Sequence, residues 1–217
     1  MAKSLQEKEK LESYVSSDVL REARESVLAS LQPGGEKIAA TVAFVSLLPA
    51  DKAAVKTGGA QLIASVNRFF NFSQVLCTEN DGVIDKIIGH TLMMVFRAGS
   101  DRESHQLRAC RVATRLVDSI KASELGSSCR VAAGLACGQL VSGKIGSRNG
   151  KLDFTVIGDT VNLAARLKSY AENLDGSVIL LSDAMLPEIS GEFAIRLESE
   201  VQLKGKSTQT SVYRVDL

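Results

Sequence analysis

No apolar run in this sequence is long enough to cross a bilayer. The longest, KIAATVAFVSLLPA, falls short of the ~20 residues that a membrane helix needs and is broken by Pro49. The first residues, MAKSLQEKEKLESY, lack the hydrophobic stretch of a secretory signal, so a cytoplasmic chain with no membrane segment is expected. Neither sign of charge is in excess: 26 Lys and Arg stand against 25 Asp and Glu, a net charge of +1. A strongly basic footprint is therefore missing, and neither nucleic acid nor an anionic membrane is expected as a partner. The four cysteines, Cys77, Cys110, Cys129 and Cys137, form no CxxC pair. Unbridged, buried or half-buried thiols in a reducing compartment are expected of them. Internal repeats and low-complexity tracts are absent as well.

What is present suits a globular chain. Its 217 residues are 45% hydrophobic, enough for one domain with a sizeable core, or for a domain and an extension. Residues 4–31 read as a helix, with Leu11, Val15, Val19 and Ala23 on an i+4 stripe and charges between them. QPGGEK breaks that pattern at Pro33 and Gly34-Gly35, which places a boundary between an entry helix and turn, residues 1–34, and a main domain, residues 35–217.

The main domain alternates. KIAATVAFVSLL is rich in β-branched residues and reads as a strand; ADKAAVKTGGAQLIASVNRFFNF reads as a helix. SQVLCTENDGVIDKIIGHTLMMVFR is expected to supply strands bent near Asn80-Asp81-Gly82 and Gly89-His90. RESHQLRACRVATRLVDSIKAS is strongly amphipathic, with Leu107, Cys110, Ala113 or Thr114, Val117 and Ile120 on one face. CRVAAGLACGQLVSGKIG reads as a pair of small-residue strands. FTVIGDTVNLAARLKSYAENL runs from strand into helix with Asp159 placed to cap it, and SVILLSD, AIRLES and QTSVYRVDL close the chain as strands. The expected class is α+β, with a mostly antiparallel sheet covered by helices on one face.

Two segments carry chemistry. In FTVIGDTVNLAARL, Asn162 and Arg166 lie four residues apart on one helix and so share a face. A fixed guanidinium can stabilise charge developing on a phosphate, and a neighbouring amide can orient a sugar or an attacking hydroxyl. In DKIIGHTLMMVF, strict alternation would put Lys86, Ile88 and His90 on one face and Asp85 on the other.

The first of these segments resembles the signature of class III nucleotidyl cyclases, the adenylate and guanylate cyclases. The likeness extends to AAGLACGQLVSGKIGS, similar to the family's glycine-rich hairpin, and to VQLKGKSTQTSVYRV, similar to its C-terminal lysine hairpin. LESYVSSDVLREARE with LQPGGEKIAATVAF looks like the signalling helix and turn that precede such domains in bacterial receptors. The resemblance implies a ferredoxin-like fold, flanked by helices, that pairs with a second cyclase domain so that each site is shared. It further implies attack of a ribose 3′-hydroxyl on the α-phosphate of a nucleoside triphosphate, assisted by two divalent ions, normally Mg²⁺.

Carried across position by position, the resemblance makes Asn162 the ribose-orienting residue and Arg166 the group that stabilises the transition state. Lys86 matches the base-reading lysine, with Thr155 at its usual partner position, a pair that favours adenine. Lys204 matches the lysine on the terminal phosphates, with Lys206 as a substitute. The two metal aspartates are missing: FVSLLPAD places Ser46 at the first position and KIIGH places His90 at the second. A neutral hydroxyl and an imidazole suit Mg²⁺ poorly, so no metal site is expected in the chain itself, and Mg²⁺ or Mn²⁺ is expected only where a partner supplies the ligands. A His-plus-Ser site would lean towards a softer ion such as Zn²⁺.

The resemblance thus implies an adenylate-cyclase-like domain that keeps its contacts to ATP or another purine nucleotide. Inactive alone, it would act as a regulatory or nucleotide-binding dimer module. The alternatives are a complementing half of a heterodimeric adenylate cyclase that converts ATP to cyclic AMP and pyrophosphate, or a weak homodimeric cyclase with other metal ligands.

Overall fold

A strand buried on both faces must be apolar throughout, and KIAATVAFVSLL is such a run. In the computed structural model, which describes residues 35–50, 59–99, 103–146, 152–201 and 209–217, it forms the long strand β1 (Gly35–Pro49). Side-chain alternation sends Ala43, Val45 and Leu47 into one core and Ala40, Val42 and Phe44 into another. The helix expected over residues 4–31 lies outside the described residues, as do Lys204 and Lys206.

The elements that follow are α1 (Gly59–Glu79), β2 (Gly82–Ile88), β3 (Thr91–Arg97), α2 (His105–Ala122), β4 (Cys129–Gly146), β5 (Leu152–Ile157), α3 (Asp159–Ala171) and β6 (Val178–Ser182). A 3₁₀ turn at Asp183–Met185 runs into the one-turn helix α4 (Leu186–Ile189), and β7 (Ile195–Val201) and β8 (Thr210–Val215) complete the chain. The sheet runs β2-β3-β1-β4-β6-β8-β7, with β5 also paired to β4. Among the described residues β4 and β6 run parallel, and the other pairs are antiparallel. This is the mixed, mostly antiparallel α+β sheet that the sequence suggested. Helices cover both faces, however. α1 and α2 pack on one through Phe69, Leu76, Leu116 and Ile120, and α3 packs on the other through Ala164, Leu167 and Ala171.

Three local expectations need correction. Residues 73–79 continue α1 and form no strand, because Phe69, Ser73, Leu76 and Cys77 keep helical spacing into the core. The buried Ser73 hydroxyl donates to the Phe69 carbonyl at 2.8 Å. Asp159 is the first helical residue of α3, and Gly158 is the cap, with φ at 149° and no side-chain cap bond. An acid in that first turn still faces the positive end of the helix dipole.

The third correction concerns β4, which is one continuous strand of 18 residues where a strand pair was expected. Its small residues serve packing. A Cβ at Gly134 would lie 2.1 Å from the Lys168 nitrogen and 2.4 Å from the Ala164 carbonyl, and one at Gly138 would lie 2.6 Å from Thr160 Oγ1. Gly134 lets the α3 backbone lie directly on the strand, and Gly138 makes room for the Thr160 side chain. Among the described residues no helix is long and apolar enough to cross a membrane.

A buried arginine ties α2 to the strands, and nothing in the sequence pattern marked it. Arg108, only 3% exposed, donates to the carbonyls of Asn80 (2.9 Å), Asp81 (3.1 Å), Arg97 (2.6 Å) and Glu103 (3.1 Å). It thereby satisfies the α1–β2 turn, where Asp81 adopts a positive φ of 51°.

Candidate functional site

β2 and β5 are separated in the sheet by β3, β1 and β4, yet their side chains meet. Lys86 Nζ lies 2.6 Å from Asp153 Oδ2 and 3.4 Å from Asp85 Oδ2. The Thr155 hydroxyl donates to that same Asp85 oxygen at 2.8 Å. The β4–β5 hairpin is drawn towards β3 by Arg97, which donates to Ser142 Oγ at 2.9 Å and stacks over the Phe154 ring, 5.7 Å from its centroid. Lys86 and Thr155, which the resemblance pairs, are brought together here through Asp85.

Strict alternation placed Asp85 away from Lys86. The structure overturns this: the β2–β3 register shifts between Ile84 and Lys86, and such a bulge re-aims neighbouring side chains. The Asp85 side chain is 8% exposed, Lys86 31% and Asp153 46%. Burial raises the Asp85 pKa above the ordinary aspartate value, against the opposing pull of the Thr155 hydrogen bond and the Lys86 charge. Burial alone would lower Lys86, but the Asp153 hydrogen bond and the two carboxylate charges outweigh it and hold the ammonium above the ordinary lysine value. Lys86 is a committed cation and donor.

Ser46 is fully buried on β1, its Cα in register with Thr91 on β3, and the two hydroxyl oxygens lie 2.7 Å apart. His90 is exposed and belongs to the turn between β2 and β3, where Gly89 takes a φ of 63°. Strand alternation therefore does not extend from Lys86 to His90, as the sequence reading assumed. The His90 carbonyl accepts from the Leu47 backbone at 3.2 Å. A buried hydroxyl already bonded to Thr91 and an exposed imidazole in a turn do not fit a pair of magnesium ions, which take hard and usually anionic oxygens.

Asn162 and Arg166 lie one turn apart on α3, Asn162 exposed and Arg166 half-buried. The chain turns from β5 into α3 at Gly158, whose carbonyl accepts from the Asn162 amide at 3.3 Å. The Gly134 and Gly138 contacts then set where the helix lies. Asp153 was missed in the sequence, although it sits two residues before Thr155 on the same strand. Asp85 was set aside on a face it does not occupy.

The comparisons agree with this architecture. The family described as "Adenylate and Guanylate cyclase catalytic domain" matches residues 35–215. The chain is 29% identical over 160 residues to an adenylate cyclase of Dictyostelium discoideum, "terminal-differentiation specific", covering 71% of this chain and 7% of that protein. It is 30% identical over 190 residues to an uncharacterized protein of Mycobacterium tuberculosis, covering 85% of this chain and 34% of that one. The chain thus spans about a third or less of these relatives' lengths. Among solved structures, a bacterial light-regulated adenylyl cyclase superposes with a TM-score of 0.78 at 20% identity, over 99% of this chain and 62% of that one. The adenylyl cyclase CyaB of P. aeruginosa superposes at 0.74 and 21% identity, over 85% and 96% of the two chains. A guanylate cyclase domain from Catenaria anguillulae in complex with GTP gives 0.71 at 23% identity, over 83% and 98%. On the family match across residues 35–215, the chain belongs to the adenylate and guanylate cyclase catalytic-domain family.

Proposed function

We propose that this chain is a nucleotide-binding cyclase module that pairs with a second cyclase domain and does not make a cyclic nucleotide alone. The observation that carries the reading is the buried hydroxyl pair of Ser46 and Thr91, 2.7 Å apart, at the position where the family resemblance calls for a metal carboxylate. Two missing carboxylates leave the attacking hydroxyl without its activating ion and the phosphates without charge relief. Nucleotide binding is supported by the convergence of Lys86 and Thr155 on Asp85, with ATP as the ligand. Residues 1–34 act in this reading as a signalling helix feeding the module, and Lys204 adds a contact to the terminal phosphates.

The test is an assay of the purified chain with ATP and with GTP, in Mg²⁺ and then in Mn²⁺. Binding of ATP is expected, with turnover at least about a thousandfold below that of a family domain bearing both aspartates, or about 4 kcal/mol in barrier. Robust Mg²⁺-dependent turnover by the chain alone would overturn the reading.

A second reading, that of a complementing half-enzyme, is favoured by Asn162 and Arg166 standing one turn apart on α3. A partner domain with intact aspartates would then complete one site, and the hybrid would convert ATP to cyclic AMP and pyrophosphate.

A further inference from the structure

The Thr155 hydroxyl has one proton and two lone pairs, and left alone it could turn either towards a nucleobase. Here its proton is donated to Asp85 Oδ2 at 2.8 Å. The oxygen that remains is an acceptor. Beside it, Lys86 has three N–H donors and no acceptor; one donor goes to Asp153 at 2.6 Å, and Asp85 lies 3.4 Å away. Together they present one acceptor and one charged donor, tied to a single carboxylate oxygen.

We infer that Asp85 is a positioning residue for base selection: by taking the Thr155 proton it fixes the pair as acceptor plus donor, the complement of an aminopurine edge. Adenine offers an amino donor beside an unprotonated ring nitrogen, and guanine offers a carbonyl beside a ring N–H. A guanine placed here would set its carbonyl against the Thr155 lone pairs and its ring N–H against the Lys86 ammonium, two mismatches at once. Sites built to hydrogen-bond one pattern discriminate strongly, because the wrong partner leaves desolvated groups unpaired. The bulge at Ile84/Lys86 is what gives Asp85 this role, since it carries the carboxylate round to its neighbour's side.

The inference rests on the nucleotide-binding reading, and calorimetric titration of the full chain with ATP and with GTP separates the two. The native chain is expected to favour ATP. In Asp85→Asn the side-chain amide can donate to Thr155 and turn its proton outward, so the ATP-to-GTP affinity ratio should fall at least about tenfold, the scale of one misdirected hydrogen bond. A merely structural role would weaken both nucleotides alike and leave the ratio unchanged, which would overturn the role of Asp85. Should Asp85→Asn not fold, Asp85→Ala carries the test, because it removes the acceptor and frees the Thr155 proton while leaving Thr155 and Lys86 in place; the same loss of ATP preference is expected, and a retained preference overturns the inference. If the folded native chain binds neither nucleotide, the binding reading falls and this inference falls with it.

Discussion

Ser46 and Thr91 face each other across β1 and β3 with their hydroxyls hydrogen-bonded in the core. Replacing Ser46 by aspartate puts a carboxylate where only a threonine hydroxyl is in reach. Ser46→Asp alone should destabilise the chain by about 1–3 kcal/mol, the cost of a buried polar group with too few partners. With His90→Asp added, thermal unfolding should become sensitive to magnesium, because two carboxylates can then share the ion. An equal unfolding temperature with and without magnesium in the double variant would show that the two carboxylates do not share an ion.

Arg166 should matter to turnover and less to affinity. In a hybrid with an aspartate-bearing cyclase domain, Arg166→Ala should lower the rate by about a hundredfold or more, as loss of one preorganised charge-stabilising group does. The affinity for ATP should change less, because the guanidinium would act as charge develops. Rate and affinity measured on the same hybrid decide this: a silent hybrid, or one indifferent to the substitution, removes the half-enzyme reading.

Arg108 should prove structural. Four backbone carbonyls depend on its guanidinium, so Arg108→Met should cost about 3–5 kcal/mol in denaturant unfolding, comparable to breaking a buried polar network by removing one partner. Arg108→Lys cannot reach all four with a point-like ammonium and should recover only part of that loss. Full stability in either variant would show that water replaces the arginine.

The thiols set an alkaline limit. Cys77 and Cys110 are buried, and desolvation pushes each up to about 12 from an ordinary 9.0. Above pH 9 the unfolded chain ionises these thiols and the folded chain does not, so stability present below pH 9 is lost as pH rises towards 12. Each thiol should cost up to about 1.4 kcal/mol for every pH unit in that window. Cys77→Ala/Cys110→Ala should unfold with a flatter alkaline pH profile than the native chain, and equal slopes would refute the assignment.

Much of the fold could be read in the chain because burial writes itself into composition. KIAATVAFVSLL had to be a strand from its β-branched residues, though its burial on both faces was not foreseen, and the amphipathic spacing of residues 105–122 had to be a helix. Lys86 and Thr155 could be singled out in the sequence because a family resemblance marks both positions. Asp85 was not, since a bulge shifts the side-chain period by one and no local rule places bulges; Asp153 was not, since its partner Lys86 lies 67 residues away on a strand that β5 does not pair with. Arg108 was hidden for another reason. Its partners are backbone carbonyls from four separate positions, which no residue pattern records. The continuity of β4 was obscured by its glycines, which look like turn signals until α3 is laid upon them.

The register of three strands has one more consequence. Gly35 pairs with Gly143, and Gly143 pairs on its other side with Thr155, so the first residue of β1 and Thr155 lie in a single row across β1, β4 and β5. At the ~4.8 Å spacing of neighbouring strands they are about 10 Å apart, linked by hydrogen-bonded backbone alone. A Cβ at Gly35 would sit 2.5 Å from Val141 Cγ1, two residues along β4 from that row. The shortest path from the start of β1 to Thr155 therefore crosses two strand pairings and does not run the length of a strand. The start of the central strand and the threonine that meets Asp85 share one rung.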